Sequence, residues 1–239
     1  MEHKDIFGRA LFDYFNHIQP KSKKSFENIL TWTNISDKDE LPLSYLFRTY
    51  KNMSILEQKA LQLCQGKTLD VGCGAGSHSL YLQDNGFDVK GIDISKGAVL
   101  TSKKRGLDNV KQIDLLNIED KYDTILLLMN GTGIFQEFDK VEMYLNHLKS
   151  ILKTNGQILI DSSDISYMFN DQSELHCSDR YYGELDYFIS YKGDQEIPMK
   201  WLYLDFKSLK RFCSEVGLNC EKVMTGKHFD YLARITIKA

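Results

Sequence analysis

The sequence lacks any apolar run long enough to cross a bilayer. Its longest, Ile125-Leu126-Leu127-Leu128-Met129, has strand length, whereas a membrane helix needs roughly 18 to 20 such residues. The start, Met1-Glu2-His3-Lys4-Asp5, is polar and leads into aromatic residues without a signal-like apolar region, which points to a cytoplasmic protein. Five cysteines (Cys64, Cys73, Cys177, Cys213 and Cys220) include no C-x-x-C pair. They form no plausible zinc quartet with the histidines, so reduced thiols and no metal are expected. His176 and Cys177 are neighbours and in an extended segment would point to opposite faces. Charge of one sign is scarce as well: 30 basic against 33 acidic residues give a net charge of -3. The densest basic runs, Lys21-Ser22-Lys23-Lys24 and Lys103-Lys104-Arg105, are short and read as solvated faces. A chain that grips a phosphate backbone carries a basic excess or patch, so nothing here invites a nucleic-acid partner. Prolines number only three, Pro20, Pro42 and Pro198, each at a break between elements.

What is present is periodicity. The 239 residues suffice for one large α/β domain with a small cap. Residues 1–65 read as a helical N-terminal cap: Ile6, Ala10, Leu11, Tyr14 and Ile18 recur at helical spacing, as do residues from Met53 to Leu63. From residue 66 to 239 strands and helices alternate. Thr68–Val71, Val89–Ile94, Asn109–Asp114, Tyr122–Met129 and Gln157–Asp161 read as strands. Ser77 and Ser95 are candidate helix caps, Asn85-Gly86 a helix stop, and Asp139 with Glu142 resembles a capping box whose helix ends at Asn155-Gly156. Such alternation implies right-handed βαβ units and a parallel sheet. The last two strands, Cys220–Met224 and Tyr231–Ile237, are too close for a crossover and must pair antiparallel. An aromatic-rich stretch at about 175–204 interrupts the alternation and reads as an inserted β-hairpin or a lid, with a turn at Lys192-Gly193-Asp194. The fold expected is therefore a doubly wound α/β one: a mostly parallel seven-stranded sheet ending in an antiparallel hairpin.

A strand that ends in closely spaced glycines and opens into a helix presents backbone N–H groups and lets a ligand approach the main chain. An acidic residue after the second strand can accept ribose hydroxyls, and Asp93 lies 21 residues after Gly72. Both features also suit a dinucleotide, but the loop carries Ser77 where the last glycine of G-x-G-x-x-G belongs. The stretch Leu69-Asp70-Val71-Gly72-Cys73-Gly74-Ala75-Gly76 resembles the first motif of class I S-adenosylmethionine-dependent methyltransferases, D-x-G-x-G-x-G. Gly91-Ile92-Asp93-Ile94-Ser95, Asp114, Tyr122-Asp123-Thr124-Ile125-Leu126 and Leu152-Lys153-Thr154-Asn155-Gly156-Gln157 continue the match over about residues 65–165. The resemblance implies S-adenosylmethionine as cofactor. Asp70, Gly72, Cys73, Gly74 and Gly76 would border its methionine end, Asp93 and Ile94 its ribose, and Asp114 with Leu115 its adenine. Asn130 would face the amino group and methyl, and Arg48 is a candidate clamp for the carboxylate.

The same resemblance implies methyl transfer to a nucleophile held in line with the methyl–sulfur bond. The position after the fourth strand reads Asn130-Gly131-Thr132-Gly133, without the [DN]-P-P-[FYW] of base and amide methylation, and the paired cysteines of pyrimidine C5 chemistry are missing. With the acidic balance, this favours a small-molecule acceptor over protein or RNA; a non-catalytic cofactor-binding protein on the same fold is the competing reading. Asp161, Asp164 and His17 are the candidate bases, and Tyr14, Arg48, Tyr50, Tyr167, Tyr181, Tyr182 and Trp201 are further candidates for the acceptor pocket. The sequence sets no oligomeric state.

Overall fold

The computed structural model describes residues 4–18, 26–169 and 180–238. Pro20, the run Lys21–Lys24, His176, Cys177 and the first part of the expected insertion lie outside them.

The main sheet is built from seven strands in the order β11-β12-β7-β6-β3-β4-β5. In chain order these are β3 (Thr68–Val71), β4 (Val89–Asp93), β5 (Val110–Gln112), β6 (Tyr122–Leu127), β7 (Leu152–Ser163), β11 (Leu218–Thr225) and β12 (Asp230–Ile237). β7, β6, β3, β4 and β5 run parallel, and β12 pairs antiparallel with both β7 and β11. Parallel strands covered on both faces carry continuous apolar runs; in β3 all four residues are buried. Around the sheet lie α3 (Ile55–Leu63), α4 (Ser77–Asp84), α5 (Lys96–Lys104), α6 (Val141–Ser150) and α7 (Phe206–Glu215). Leu69, Ile125, Leu127, Ile158 and Ile160 centre one core cluster with α6 and α7, and Leu126, Leu159 and Leu232 centre the other with α3 and α4. The expected α/β fold with its antiparallel ending is thus the observed one.

The N-terminal region differs from the helical expectation. α1 (Ile6–Ile18) and α3 are helices, but β1 (Ile29–Thr33) and β2 (Ser36–Leu41) form a hairpin, followed by the short α2 (Leu43–Leu46). β1 holds its shape by pairing with β8 (Glu184–Tyr191) of the inserted segment, Leu30 opposite Ser190 and Trp32 opposite Phe188. That partner is more than 150 positions away in the chain, so local periodicity carries no trace of it. β8 also pairs with β9 (Asp194–Gln195) and β10 (Met199–Leu202), which completes a second, antiparallel sheet in the order β10-β8-β1-β2. Within the described part of the expected insertion β8 and β10 form an antiparallel pair, and their partner is the N-terminal hairpin.

Three local expectations are corrected. α4 begins after Gly76, which is left-handed at φ 83°, and Ser77 Oγ donates to Leu46 O at 2.8 Å instead of capping. α6 is entered through a 3-10 turn, Phe138–Lys140, so Asp139 lies before the cap position and no side chain caps the helix. The helix stops at Ser150, and Asn155-Gly156 falls inside β7. There Tyr122 pairs with Leu152 while Thr124 pairs with Gln157, an irregular register that accommodates the extra residues as a bulge. Ser95 does cap α5, accepting from the Ala98 amide at 2.9 Å.

Candidate active site

In this strand order β3 sits where the chain turns from building one side of the sheet to the other, and ligands of such sheets lie beyond the carboxyl ends at that point. The glycine loop follows β3, the Asp93 turn follows β4, and the Met129–Gly133 segment follows β6, so the three meet at one edge.

The loop is held from within. The Gly72 and Cys73 amides donate to Ile92 O at 2.9 and 3.0 Å, Gly74 to Asp93 Oδ2 at 2.9 Å, and Gly76 to Cys73 O at 2.8 Å. These four N–H groups are therefore committed to the fold rather than presented to a ligand. What the loop offers is space: Gly74 is left-handed at φ 54°, and a Cβ there would meet nothing within 4 Å. Asp70 is buried and receives Ser79 Oγ at 2.5 Å; burial raises its pKa, against the pull of His78 and Ser79. Cys73 is buried too, and burial beside Asp70 and Asp93 pushes its thiol well above the ordinary range. Arg105, at the end of α5, fastens the loop by donating to Ala75 O at 2.6 Å and Ser77 Oγ at 3.2 Å.

Asp93 faces the loop across this edge. Its second oxygen accepts the Ser95 amide at 2.8 Å, and burial lifts its pKa to about 6 despite both amides. Ile94 beside it is exposed. Asp114 accepts from the Leu116 amide at 2.8 Å, which turns the chain after β5, and Leu115 is buried.

After β6 the backbone becomes left-handed at two successive non-glycine residues, Met129 (φ 67°) and Asn130 (φ 60°). Asp161, from β7, clamps this turn: its oxygens accept the Met129 amide at 3.1 Å and the Gly131 amide at 3.0 Å. Burial, together with the charge of Glu57, raises Asp161 to about 6 although those amides oppose it. Asn130 is tied inward. Its amide donates to Leu202 O at 3.2 Å and its carbonyl accepts from Ser162 Oγ at 2.9 Å. Asp164 accepts from the Ser166 amide at 3.0 Å and the Tyr182 hydroxyl at 2.9 Å. Trp201 lies against Gly133, where a Cβ would come within 2.2 Å of its ring, and this seats β10 on the turn.

Arg48 does not present a free fork. Its guanidinium donates to Tyr45 O and to Glu57 and lies 3.9 Å over the Tyr45 ring. Glu57, 2% exposed, also receives His78 Nε2 at 2.7 Å and the Ser54 amide at 2.9 Å. Burial alone would raise this carboxyl, but His78, Arg48 and Ser54 together lower it to about 2. This buried triad was not foreseen, although Ser54-Ile55-Leu56-Glu57 spells the capping box that the structure contains. His17 sits at the end of α1 against Phe26, with ring centroids 4.7 Å apart, in the aromatic group of Tyr14 and Phe26. Tyr50 stacks on Tyr81 and Tyr181 on Phe138, both as packing contacts. Among the described residues no three His, Cys, Asp or Glu side chains come together as a metal site.

Residues 44–223 match the family model described as a methyltransferase domain. The chain belongs to the class I S-adenosylmethionine-dependent methyltransferase family. A methyltransferase of Bacteroides fragilis, crystallised with S-adenosyl-L-homocysteine, is 38% identical over 99% of this chain and 96% of that one, with a TM-score of 0.89. A ubiquinone biosynthesis O-methyltransferase of Pasteurella multocida is 31% identical over 46% of this chain and 51% of its own length. A ribosomal RNA small subunit methyltransferase C of Alcanivorax borkumensis is 29% identical over 37% of this methyltransferase and 29% of its own length. This chain thus spans about half or less of those curated relatives, and their names cover both small-molecule and RNA acceptors. No helix among the described residues is long and apolar enough to cross a membrane.

Proposed function

We propose that this methyltransferase binds S-adenosylmethionine along the glycine-loop edge and methylates a small-molecule acceptor. The observation that carries the cofactor reading is the pairing of an open Gly74 with a carboxylate, Asp93, already aimed across the loop at its amide. The residues fit the cofactor. Asp93 keeps lone pairs for the ribose hydroxyls, Asp114 and Leu115 wall the adenine end, and Gly74 leaves room at the methionine end beside Asp70. Because the Asn130 side chain is bound inward, the backbone of the left-handed turn takes the place expected of its amide. Arg48, held by Glu57, acts as a strut beneath Tyr45.

When bound, S-adenosylmethionine supplies an electrophilic methyl, so the chain has to bind, orient and exclude water. Asp161 serves this by fixing the turn after β6, each of its oxygens accepting one amide. The small-molecule reading is supported by the second sheet, which brings Trp201 and the half-buried Tyr182 and Tyr203 to the carboxyl edge, and by the net charge of -3. Aromatic walls suit a compact acceptor, whereas a nucleic acid calls for a basic surface.

Calorimetric titration with S-adenosylmethionine, S-adenosylhomocysteine and NAD in parallel tests the cofactor. Binding of the two sulfur compounds without NAD is the expected result, and binding of NAD alone would overturn it. With binding in hand, methyl transfer to fractionated metabolites against transfer to RNA or protein decides the acceptor class.

A further inference from the structure

The two sheets meet on α1. Its buried face, Ile6, Ala10 and Leu11, packs in one cluster with Ala75 of the glycine loop, Ala98 of α5, and Ile189 and Tyr191 of β8. One helix therefore belongs to the cluster that joins the cofactor loop to the inserted strands, and it packs directly on α5 and β8. Its crossing with α5 is a backbone contact: a Cβ on Gly97 would lie 2.4 Å from the Gly8 carbonyl carbon, and one on Gly8 would lie 2.3 Å from Ser95 Oγ. Asp5 spans the crossing, accepting from the Gly8 amide at 3.1 Å and the Gly97 amide at 2.8 Å. Two residues before Gly97, the Ser95 amide holds Asp93, which in turn holds Gly74.

The other end of this line is Glu196, on the segment between β9 and β10. It is 5% exposed, and its two oxygens accept the Lys4 amide at 3.1 Å and the Ile6 amide at 2.7 Å. A carboxylate there satisfies the Ile6 amide, which the first turn of α1 leaves without a carbonyl partner, and the Lys4 amide just before the helix, and it suits the positive end of the helix. The ion pairs of Lys4 and Arg9 with Asp194 lie in solvent and contribute little.

We infer that Glu196 is a positioning residue for the cofactor site: by holding the Lys4 and Ile6 amides on either side of the Asp5 cap it seats α1 on the Gly97 turn, and the seated helix keeps Asp93 and the glycine loop in their binding arrangement. The inference rests on the cofactor reading above. Linkage makes the effect reciprocal, so a ligand that fixes the Asp93 turn also holds α1 and, through Glu196, the inserted strands.

The test is calorimetric titration of S-adenosylhomocysteine into the wild type, Glu196→Gln, Glu196→Ala, Gly97→Ala and the Glu196→Ala/Gly97→Ala double variant. Thermal midpoints are recorded alongside. Gly97→Ala, whose methyl cannot coexist with the Gly8 backbone, is expected to weaken binding about tenfold and Glu196→Ala about fivefold. Glu196→Gln, which keeps one acceptor, should fall between Glu196→Ala and the wild type. The double variant should bind no more weakly than Gly97→Ala, because a displaced helix leaves Glu196 nothing to seat. Ligand should also slow hydrogen exchange at the Lys4 and Ile6 amides of the wild type and not of Glu196→Ala. Wild-type affinity in both Glu196 variants, with only a lowered thermal midpoint, would overturn the inference, and so would losses that multiply in the double variant. A wild type that fails to bind S-adenosylhomocysteine would overturn the cofactor reading and this inference with it.

Discussion

Replacing Glu57 by Gln removes one charge from the buried triad while keeping its shape. The carboxylate is 2% exposed and is the shared partner of Arg48 and His78, so the variant leaves a buried guanidinium without its counter-ion. Breaking a buried pair from one side costs about 3 to 5 kcal/mol. The depressed pKa of Glu57 is consistent with this: lowering it from 4.5 to about 2 is worth roughly 3 kcal/mol at neutral pH. In a chain of this size that loss lowers the unfolding midpoint by roughly 6 to 12 °C. Because the folded pKa is depressed, the contribution is fully present above pH 4.5 and disappears as the pH falls toward 2. Asp93 and Asp161, raised by burial to about 6, act in the opposite sense. Protonating them as the pH falls through 6 relieves a cost, so the wild-type profile alone mixes both effects. The informative quantity is the difference between wild type and Glu57→Gln, measured by urea unfolding at each pH from 7 to 2.5. It should be about 3 kcal/mol at pH 7 and shrink steadily below pH 4.5. A difference under about 1 kcal/mol at pH 7, or one that does not change with acid, would refute the reasoning.

Cofactor affinity should fall below about pH 6, approaching tenfold per pH unit, because a protonated Asp93 cannot accept both ribose hydroxyls. Asp93→Ala should weaken binding tenfold or more and flatten that profile, since hydrogen bonds to a charged acceptor are worth about 1.5 to 3 kcal/mol each. A flat profile in the wild type between pH 5 and 8 would count against Asp93 as the ribose partner. Asp161→Ala should cost about 2 kcal/mol in urea unfolding by freeing the Met129 and Gly131 amides. Unchanged stability there would mean that the left-handed turn holds without its clamp. Gly133→Ala forces a methyl against Trp201 and should cost about 1 to 3 kcal/mol, with a shift in tryptophan emission that reports the displaced ring.

Alternating apolar strands and amphipathic helices from Thr68 onward were enough to determine the main sheet. The short link between Thr225 and Asp230 was enough to make its ending antiparallel. The glycine loop and Asp93 were legible for the same reason, since a tight turn and an acid after the next strand are local features. Tertiary structure decided the rest. β1 is a strand because β8 comes back to pair with it. Asn155-Gly156 is a bulge because Tyr122 draws Leu152 into the sheet. Arg48 turns inward because Glu57, held in turn by His78 from the next helix, receives its guanidinium. Asp161 clamps the turn after β6 because the chain there aims two amides at it. Spacing along a chain records which face of an element is buried, but it does not record which charge or which strand will arrive from elsewhere to meet it.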